Sequence, residues 1–180
     1  MPDTLRRGPR VHLRRLNPAD EAEFLGLVRG SRELHRPWSY PPDTAEAFRK
    51  LTAGKPDEDR LVICRNEDAA IAGYFGIGQI FFGHFRNAYL GYYGFVPYAG
   101  QGYMREGLEL VLRHAFETIR LHRLEANIQP ENARSIALIR SAGFRLEGLS
   151  LRYLKIGGRW RDHERWAITT EERRAARRPT

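Results

Sequence analysis

The sequence predicts one mixed α/β (α+β) domain. A mostly antiparallel sheet of about seven strands, with one parallel pair, is flanked by about four helices. Three observations carry this prediction. A glycine-containing loop, Tyr98-Ala99-Gly100-Gln101-Gly102-Tyr103-Met104, joins a β-rich run (Tyr89 to Val96) to an apolar-periodic segment. In that segment Leu108, Val111, Leu112, Ala115 and Ile119 recur at helical spacing, which predicts an amphipathic helix from Tyr103 to Leu121. A short strand, Leu124 to Ile128, follows. Strand–helix–strand closes as a parallel pair with a right-handed crossover. The remaining strand-like runs are joined by short polar or glycine turns, as antiparallel pairing requires.

Taken in order, Val11 to Leu16 alternates apolar and basic residues and reads as a strand. Asn17-Pro18-Ala19-Asp20 opens a helix: Asn17 caps it, Pro18 fits the first turn, and Asp20 suits the positive helix end. Phe24, Leu27 and Val28 form its apolar face. Pro37, Pro41 and Pro42 then interrupt the chain around Trp38 and Tyr40. Asp43-Thr44-Ala45-Glu46 resembles a capping box and starts a second helix through Leu51. Leu61–Arg65 and Ile71–Phe82 form a meander in which Gly73, Gly76, Gly78 and Gly83 predict bends or bulges. A last helix runs from about Asn132 to Ala142 and stops at Gly143. Strands near Phe144–Ile156 and Arg159–Thr169 flank a Gly157-Gly158 hairpin turn.

Composition narrows the function. The chain has 180 residues, enough for a real core, and is 42% hydrophobic. No apolar run approaches the ~18 residues of a membrane helix, and none follows Arg6, Arg7 and Arg10 as a signal peptide would. Neither a membrane partner nor a leader is expected. Cys64, the single cysteine, lies in an apolar run and reads as a buried small hydrophobe, which points to the cytoplasm. Net charge is +8, with clusters at Arg6, Arg7, Arg10, Arg14 and Arg15 and at Arg173, Arg174, Arg177 and Arg178. These are read as a basic extension over 1–10 and a basic tail over 171–180, around a domain spanning 11–170. Such tails are solvated or steer the chain toward an RNA-rich partner. Aromatic residues are not interleaved with basic ones as in a single-strand binder, and no sequence-specific nucleic-acid partner is expected. Zinc-finger spacing and His-Glu-x-x-His are both absent, and no metal is expected.

A glycine loop between a strand and a helix is an anion cradle, because the first helical N–H groups point at the ligand. Two ligands are excluded. A nucleoside-triphosphate loop needs Gly-Lys-Ser/Thr, and here Gly102 is followed by Tyr103 and Met104. A dinucleotide loop needs a third glycine where Arg105 stands. What remains is a short Gly-x-Gly turn suited to a diphosphate carried by a larger molecule, or a plain strand-to-helix connection.

The loop is followed by Leu121-His122-Arg123-Leu124-Glu125-Ala126-Asn127, then Pro130-Glu131-Asn132-Ala133-Arg134-Ser135, then Ser141-Ala142-Gly143-Phe144-Arg145-Leu146-Glu147-Gly148. In that order the segments resemble the GNAT acetyltransferase superfamily, within it the RimJ/RimL branch, and most nearly the RimJ-type ribosomal-protein alanine N-acetyltransferases. Tyr89-Leu90-Gly91-Tyr92 and Gly158-Arg159-Trp160-Arg161-Asp162-His163 are similar to that type too. The likeness runs from about Arg10 to Thr170. It implies a GNAT-like sheet whose parallel pair is splayed, and acetyl-CoA as cosubstrate.

By that resemblance Gly100, Gln101, Gly102, Tyr103 and Met104 hold the diphosphate. The family's loop pattern is Gln/Arg-x-x-Gly-x-Gly/Ala, and Ala99 and Met104 depart from it. Ala99 lacks a polar side chain, although its backbone donor survives. Met104 is bulkier than the usual residue, but the RimJ type tolerates it. Backbone N–H groups near Phe95 and Val96 are expected at the thioester carbonyl, where they stabilise the oxyanion. The resemblance places Asn132 on the pantetheine arm and makes Ser135 the acid for the leaving sulfur. The residues alone also allow Asn132 to be a simple helix cap with Ser135 as a first-turn hydroxyl.

The base is left open: Glu33, His35, His84 and Glu147 are candidates and none is chosen, while Tyr89 stands where a carboxylate is expected. Trp38 and Tyr40 are expected to wall the acceptor cleft, with Trp160, Arg161 and Asp162 closing its far side. Core packing and hairpin pairing explain the same residues equally well. The function implied is acetyl transfer to a protein N-terminus, such as that of a ribosomal protein, by a monomer or homodimer that can associate with the ribosome. The alternatives are a small-molecule amine acceptor and an inactive ribosome- or RNA-associated binding protein. No acidic cluster is visible near the cleft residues, which counts against polyamines.

Overall fold

The computed structural model describes residues 4–175. Eight strands form one sheet: β1 (Thr4–Arg7), β2 (Val11–Arg15), β3 (Asp59–Arg65), β4 (Ile71–Phe81), β5 (Asn87–Gly94), β6 (Arg123–Ile128), β7 (Arg145–Ile156) and β8 (Arg159–Thr169), in the order β1-β2-β3-β4-β5-β6-β8-β7. The helices are α1 (Glu21–Gly30), α2 (Arg32–His35), α3 (Ala45–Ala53), α4 (Tyr103–Arg113), α5 (Ala133–Ser141) and α6 (Thr170–Ala175).

Two elements differ from the sequence reading at its ends. Residues 4–7, read as part of a basic extension, are an edge strand paired antiparallel with β2. Leu5 is their only apolar residue, so no alternation announces the strand; backbone pairing and packing of Leu5 on the core create it. Residues 170–175 form α6, and Arg173 is paired with Glu109 of α4 rather than solvated. Arg177 and Arg178 lie outside the described residues.

The caps form as the sequence requires. Asn17 accepts the Ala19 N–H, and Asp20 accepts the Asn17 N–H at 2.9 Å while also receiving both Arg14 terminal nitrogens at 2.8 Å. This turns Pro18–Asp20 into a 3-10 turn ahead of α1. Thr44 caps α3. The predicted helix over 103–121 is α4 followed by a single π turn, His114–Thr118.

Helices cover both faces. On one face α4 buries Leu108, Val111 and Leu112, and the π turn buries Ala115, in a cluster with Leu13, Leu61, Ile63 and Phe75. On the other, Phe24 of α1 and Phe48 of α3 pack with Tyr74 and Phe95. Each fully buried side chain of this size contributes roughly 1.5–3 kcal/mol.

The parallel pair β5/β6 is held by a short register, Asn87↔Arg123 to Tyr89↔Glu125. Beyond it the strands diverge: Leu90–Gly94 pair with β4, and Ala126–Ile128 pair with β8. The fork between them opens toward the carboxyl ends of both strands, where a crevice forms in open α/β sheets.

Candidate active site

The glycine loop lies at the mouth of the fork. Gly102 caps α4 with φ +82°, a left-handed conformation that favours glycine. The first hydrogen bond that closes α4 runs from the Glu106 N–H to the Gly102 carbonyl at 3.1 Å. Helix geometry therefore leaves the N–H groups of Tyr103, Met104 and Arg105 at the helix start for an external acceptor. The Gln101 side chain donates to the Pro97 carbonyl at 2.9 Å and closes the loop on itself.

Arg10 braces the loop from outside. Its guanidinium donates to the Gln101 carbonyl at 2.9 Å and to Glu106 at 3.0 Å, and it stacks over Tyr103 at 4.9 Å. Arg65 lies over Tyr98 and Tyr103 at 5.5 and 5.9 Å. Both guanidiniums are ion-paired, Arg10 with Glu106 and Arg65 with Glu67 and Asp68, so they brace the loop rather than add net charge to it. Sequence reasoning placed Arg10 in an extension. Its spacing from Glu106 gave no signal, because the contact spans 96 residues. Met104 turns its side chain away from the loop into the space over Gly73 and Gly94, which face each other across β4 and β5.

The end of β5 is clamped from α1 and α2. Phe95 is fully buried against Phe24, with ring centroids 5.9 Å apart. The Val96 N–H, expected to be open, is bonded to Ser31 Oγ at 3.0 Å. His35 Nε2 lies 2.7 Å from the Gly94 carbonyl oxygen, so this nitrogen carries the proton. Burial pushes the His35 pKa down, and the bond to Gly94 offsets this only in part.

On the α5 side of the fork, Asn132 is the helix cap and accepts the Ser135 N–H at 3.2 Å. The Ser135 Oγ lies 2.5 Å from the Tyr92 hydroxyl on β5. The sequence showed Asn132 and Ser135 but not Tyr92, whose contact spans 43 residues.

A cleft of about 360 Å³ is lined by Pro37, Trp38, Gln129, Glu131, Trp160, Arg161 and Asp162. Trp38 and Trp160 both line it. Tyr40 is not in its lining; its ring lies against Gly157 in the β7–β8 turn, with Arg36 stacked over it at 5.3 Å. Gln129 donates to the Trp38 carbonyl at 3.2 Å and ties the Pro37–Trp38 segment to the end of β6. Glu131 was missed as a cleft residue. Its place immediately before the α5 cap was the available signal.

Of the base candidates, His35 is buried in the clamp and Glu33 is exposed on α2. His84 sits in the turn before β5, at the opposite end of that strand from the fork. Glu147 is held by Arg123, the larger influence, and by Arg145, which together pull its pKa down to about 2. A carboxylate so stabilised is a poor proton acceptor.

A forked sheet, a glycine loop at a helix start and a walled cleft are the arrangement of a group-transfer enzyme with a diphosphate-bearing donor. Residues 10–145 match the acetyltransferase (GNAT) domain family, and the chain belongs to it. It is an N-acetyltransferase, and its donor is acetyl-CoA. Over 172 residues it is 32% identical to the probable N-acetyltransferase YjcK of Bacillus subtilis, covering 90% of this chain and 95% of that one. It is 37% identical over 106 residues to the ribosomal protein uS5-alanine N-acetyltransferase of Escherichia coli, covering 59% of this chain and 55% of that one. Mycobacterium smegmatis RimJ, solved in complex with CoA-disulfide, superposes with a TM-score of 0.85 at 31% identity over 95% of this chain and 89% of that one. The spermidine N-acetyltransferase of Vibrio cholerae shares the fold, with a TM-score of 0.78 at 21% identity over 91% of this chain and 98% of that one.

Proposed function

We propose that this enzyme acetylates the N-terminal α-amine of a protein in the cytoplasm, a ribosomal protein first among the candidates. The observation that supports this reading is that Arg161 lines the same cleft as Glu131 and Asp162, beside Trp38 and Trp160. A peptide N-terminus presents an ammonium followed by backbone carbonyls. The carboxylates of Glu131 and Asp162 suit the first, and the Arg161 guanidinium suits the second. A polyamine has no carbonyl to accept from Arg161 and is repelled by it.

Acetyl-CoA lies in the fork in this reading. The loop from Gly100 to Met104 holds the diphosphate, Asn132 contacts the pantetheine arm, and backbone near Phe95 meets the thioester carbonyl. The Val96 N–H is bonded to Ser31, so this reading assigns the thioester carbonyl to the Phe95 N–H. An α-amine titrates near 7.7–8 against ~10.4 for lysine, so about a tenth is already neutral at pH 7 and water suffices as its base. The amine attacks the thioester directly, and Ser135 protonates the departing sulfur. The resemblance to the uS5-alanine and RimJ enzymes favours a ribosomal acceptor.

A small-molecule amine is the second reading. Glu131 and Asp162 favour it, since together they outweigh Arg161 in charge. Thiol release from acetyl-CoA separates the two. The assay compares peptides with free N-terminal Ala, Ser or Met, matched α-blocked peptides containing Lys, and spermidine. Turnover confined to free N-termini is expected. Turnover of spermidine alone overturns the proposal.

A further inference from the structure

We propose that Tyr92 is a positioning residue that aims the Ser135 hydroxyl at the leaving sulfur. The inference rests on the reading of Ser135 as the acid. A serine hydroxyl has one proton and rotates freely about its Cβ–Oγ bond, so something must direct it. The Ser135 N–H is fixed by Asn132, which sets the backbone but leaves that rotation open. Tyr92 closes it. Its oxygen lies 2.5 Å from Ser135 Oγ and 3.3 Å from the Ser135 carbonyl oxygen. In the proposed state the phenol gives its one proton to Oγ, the nearer of the two acceptors, and the serine proton is left for the sulfur.

Tyr92 is built for this part. It stands on β5 beyond the last paired residue of the β5/β6 register, which ends at Tyr89. Its ring packs on Phe75 with centroids 5.8 Å apart, inside the α4 core, so the hydroxyl has a fixed address. Burial pushes its pKa up, and the bond to Ser135 opposes this only in part. The phenol therefore stays protonated at neutral pH and remains a donor throughout the cycle.

The transfer balances without ionising Tyr92. The acceptor nitrogen bonds to the carbonyl carbon, the C–S bond breaks, and its electron pair goes to sulfur. Ser135 gives its proton to that sulfur and regains one, through solvent, from the acceptor nitrogen. The net movement is one proton from nitrogen to sulfur.

The test compares Tyr92→Phe, Ser135→Ala and the double variant, each with acetyl-CoA and with acetyl-seleno-CoA. The selenol is far more acidic than the thiol, and its anion leaves unaided. The acceptor is the amine that turns over in the assay above, or water if none does. Tyr92→Phe keeps the ring against Phe75; its melting temperature and CoA affinity check that it folds.

With acetyl-CoA, Tyr92→Phe is expected to lower kcat by roughly 10- to 100-fold with little change in KM, and the double variant to be no worse than Ser135→Ala. With acetyl-seleno-CoA both single defects are expected to shrink to a few-fold. A Tyr92→Phe defect of equal size with both donors makes the role merely structural and overturns the proposal. So does a wild-type rate for Tyr92→Phe beside an impaired Ser135→Ala. A wild-type rate for Ser135→Ala removes the acid reading itself, and the proposal with it, while leaving N-acetyl transfer in place.

Discussion

Met104 seats its sulfur over Gly73, in the space that a β-carbon on that glycine would occupy. The bulk that seemed to threaten the loop is thereby absorbed by the sheet, and Gly94 on the neighbouring strand widens the same seat. Gly73→Ala is expected to push Met104 toward the loop. It should cost about 1–3 kcal/mol and weaken CoA binding. Thermal unfolding and calorimetric titration with CoA measure both, and Met104→Ala in the same chain should restore most of the loss.

Ser135→Ala is expected to lower kcat by about 100-fold or more while changing acetyl-CoA affinity by less than about 3-fold. The alanine keeps the N–H that Asn132 accepts, so the helix start stays intact. Steady-state kinetics beside a direct binding titration separate the two quantities. Equal losses in both would show that the hydroxyl serves binding rather than departure of the sulfur.

Arg10→Ala should weaken CoA binding by roughly 10-fold, about 1.4 kcal/mol, because it removes the brace on the Gln101 carbonyl. The side chain is half exposed, so its ion pair with Glu106 adds little to stability, within about 1 kcal/mol. Arg10→Lys should recover only part of the affinity, since an ammonium cannot serve Gln101 and Glu106 with a planar fork. Titrations at two salt concentrations check this.

The Arg14–Asp20 pair is expected to be the most sensitive polar contact in the fold. Its two side chains are 7% and 9% exposed, and Asp20 also serves the Asn17 N–H. Asp20→Asn leaves a buried guanidinium without its counter-charge and should cost about 3–5 kcal/mol. Urea unfolding measures the change.

Stability should fall as the pH drops below about 6.5, the ordinary histidine value. Burial places the folded-state pKa of His35 below its unfolded value, so the unfolded chain binds the proton more readily. The stabilisation is complete above the unfolded pKa and is lost on the way down. His12 is pushed the same way by burial and adds to the slope. His35→Gln retains an amide donor for Gly94 and should flatten the dependence of melting temperature on pH between 8 and 5.

The sequence showed elements whose cause is local. The helix over α4 follows from apolar spacing, the caps at Asn17 and Thr44 from side chains three residues or fewer away, and the hairpin turn from Gly157-Gly158. The loop and the Asn132–Ser135 turn were legible for the same reason. Strand β1 was not, because one leucine among arginines carries no pattern until β2 lies beside it. Arg10, Ser31, Tyr92 and Glu131 were likewise hidden as residues of the candidate site. The first three act through contacts spanning 96, 65 and 43 residues, which only the folded sheet creates.

The divergence of β5 from β6 gives this sheet an edge in its middle. Edges normally lie at a sheet's rim, where proteins blunt them against stray strands. Here the unpaired stretch lies inside the sheet, between β5 and β6, where the cosubstrate is proposed to sit. Whatever fills that gap acts as a missing strand and joins the half built from β1–β5 to the half built from β6–β8. The enzyme should therefore be most rigid when loaded, with a melting temperature that climbs with cosubstrate concentration as mass action requires. Its first seam to open on heating should run between Leu90 and Ala126, not at either rim.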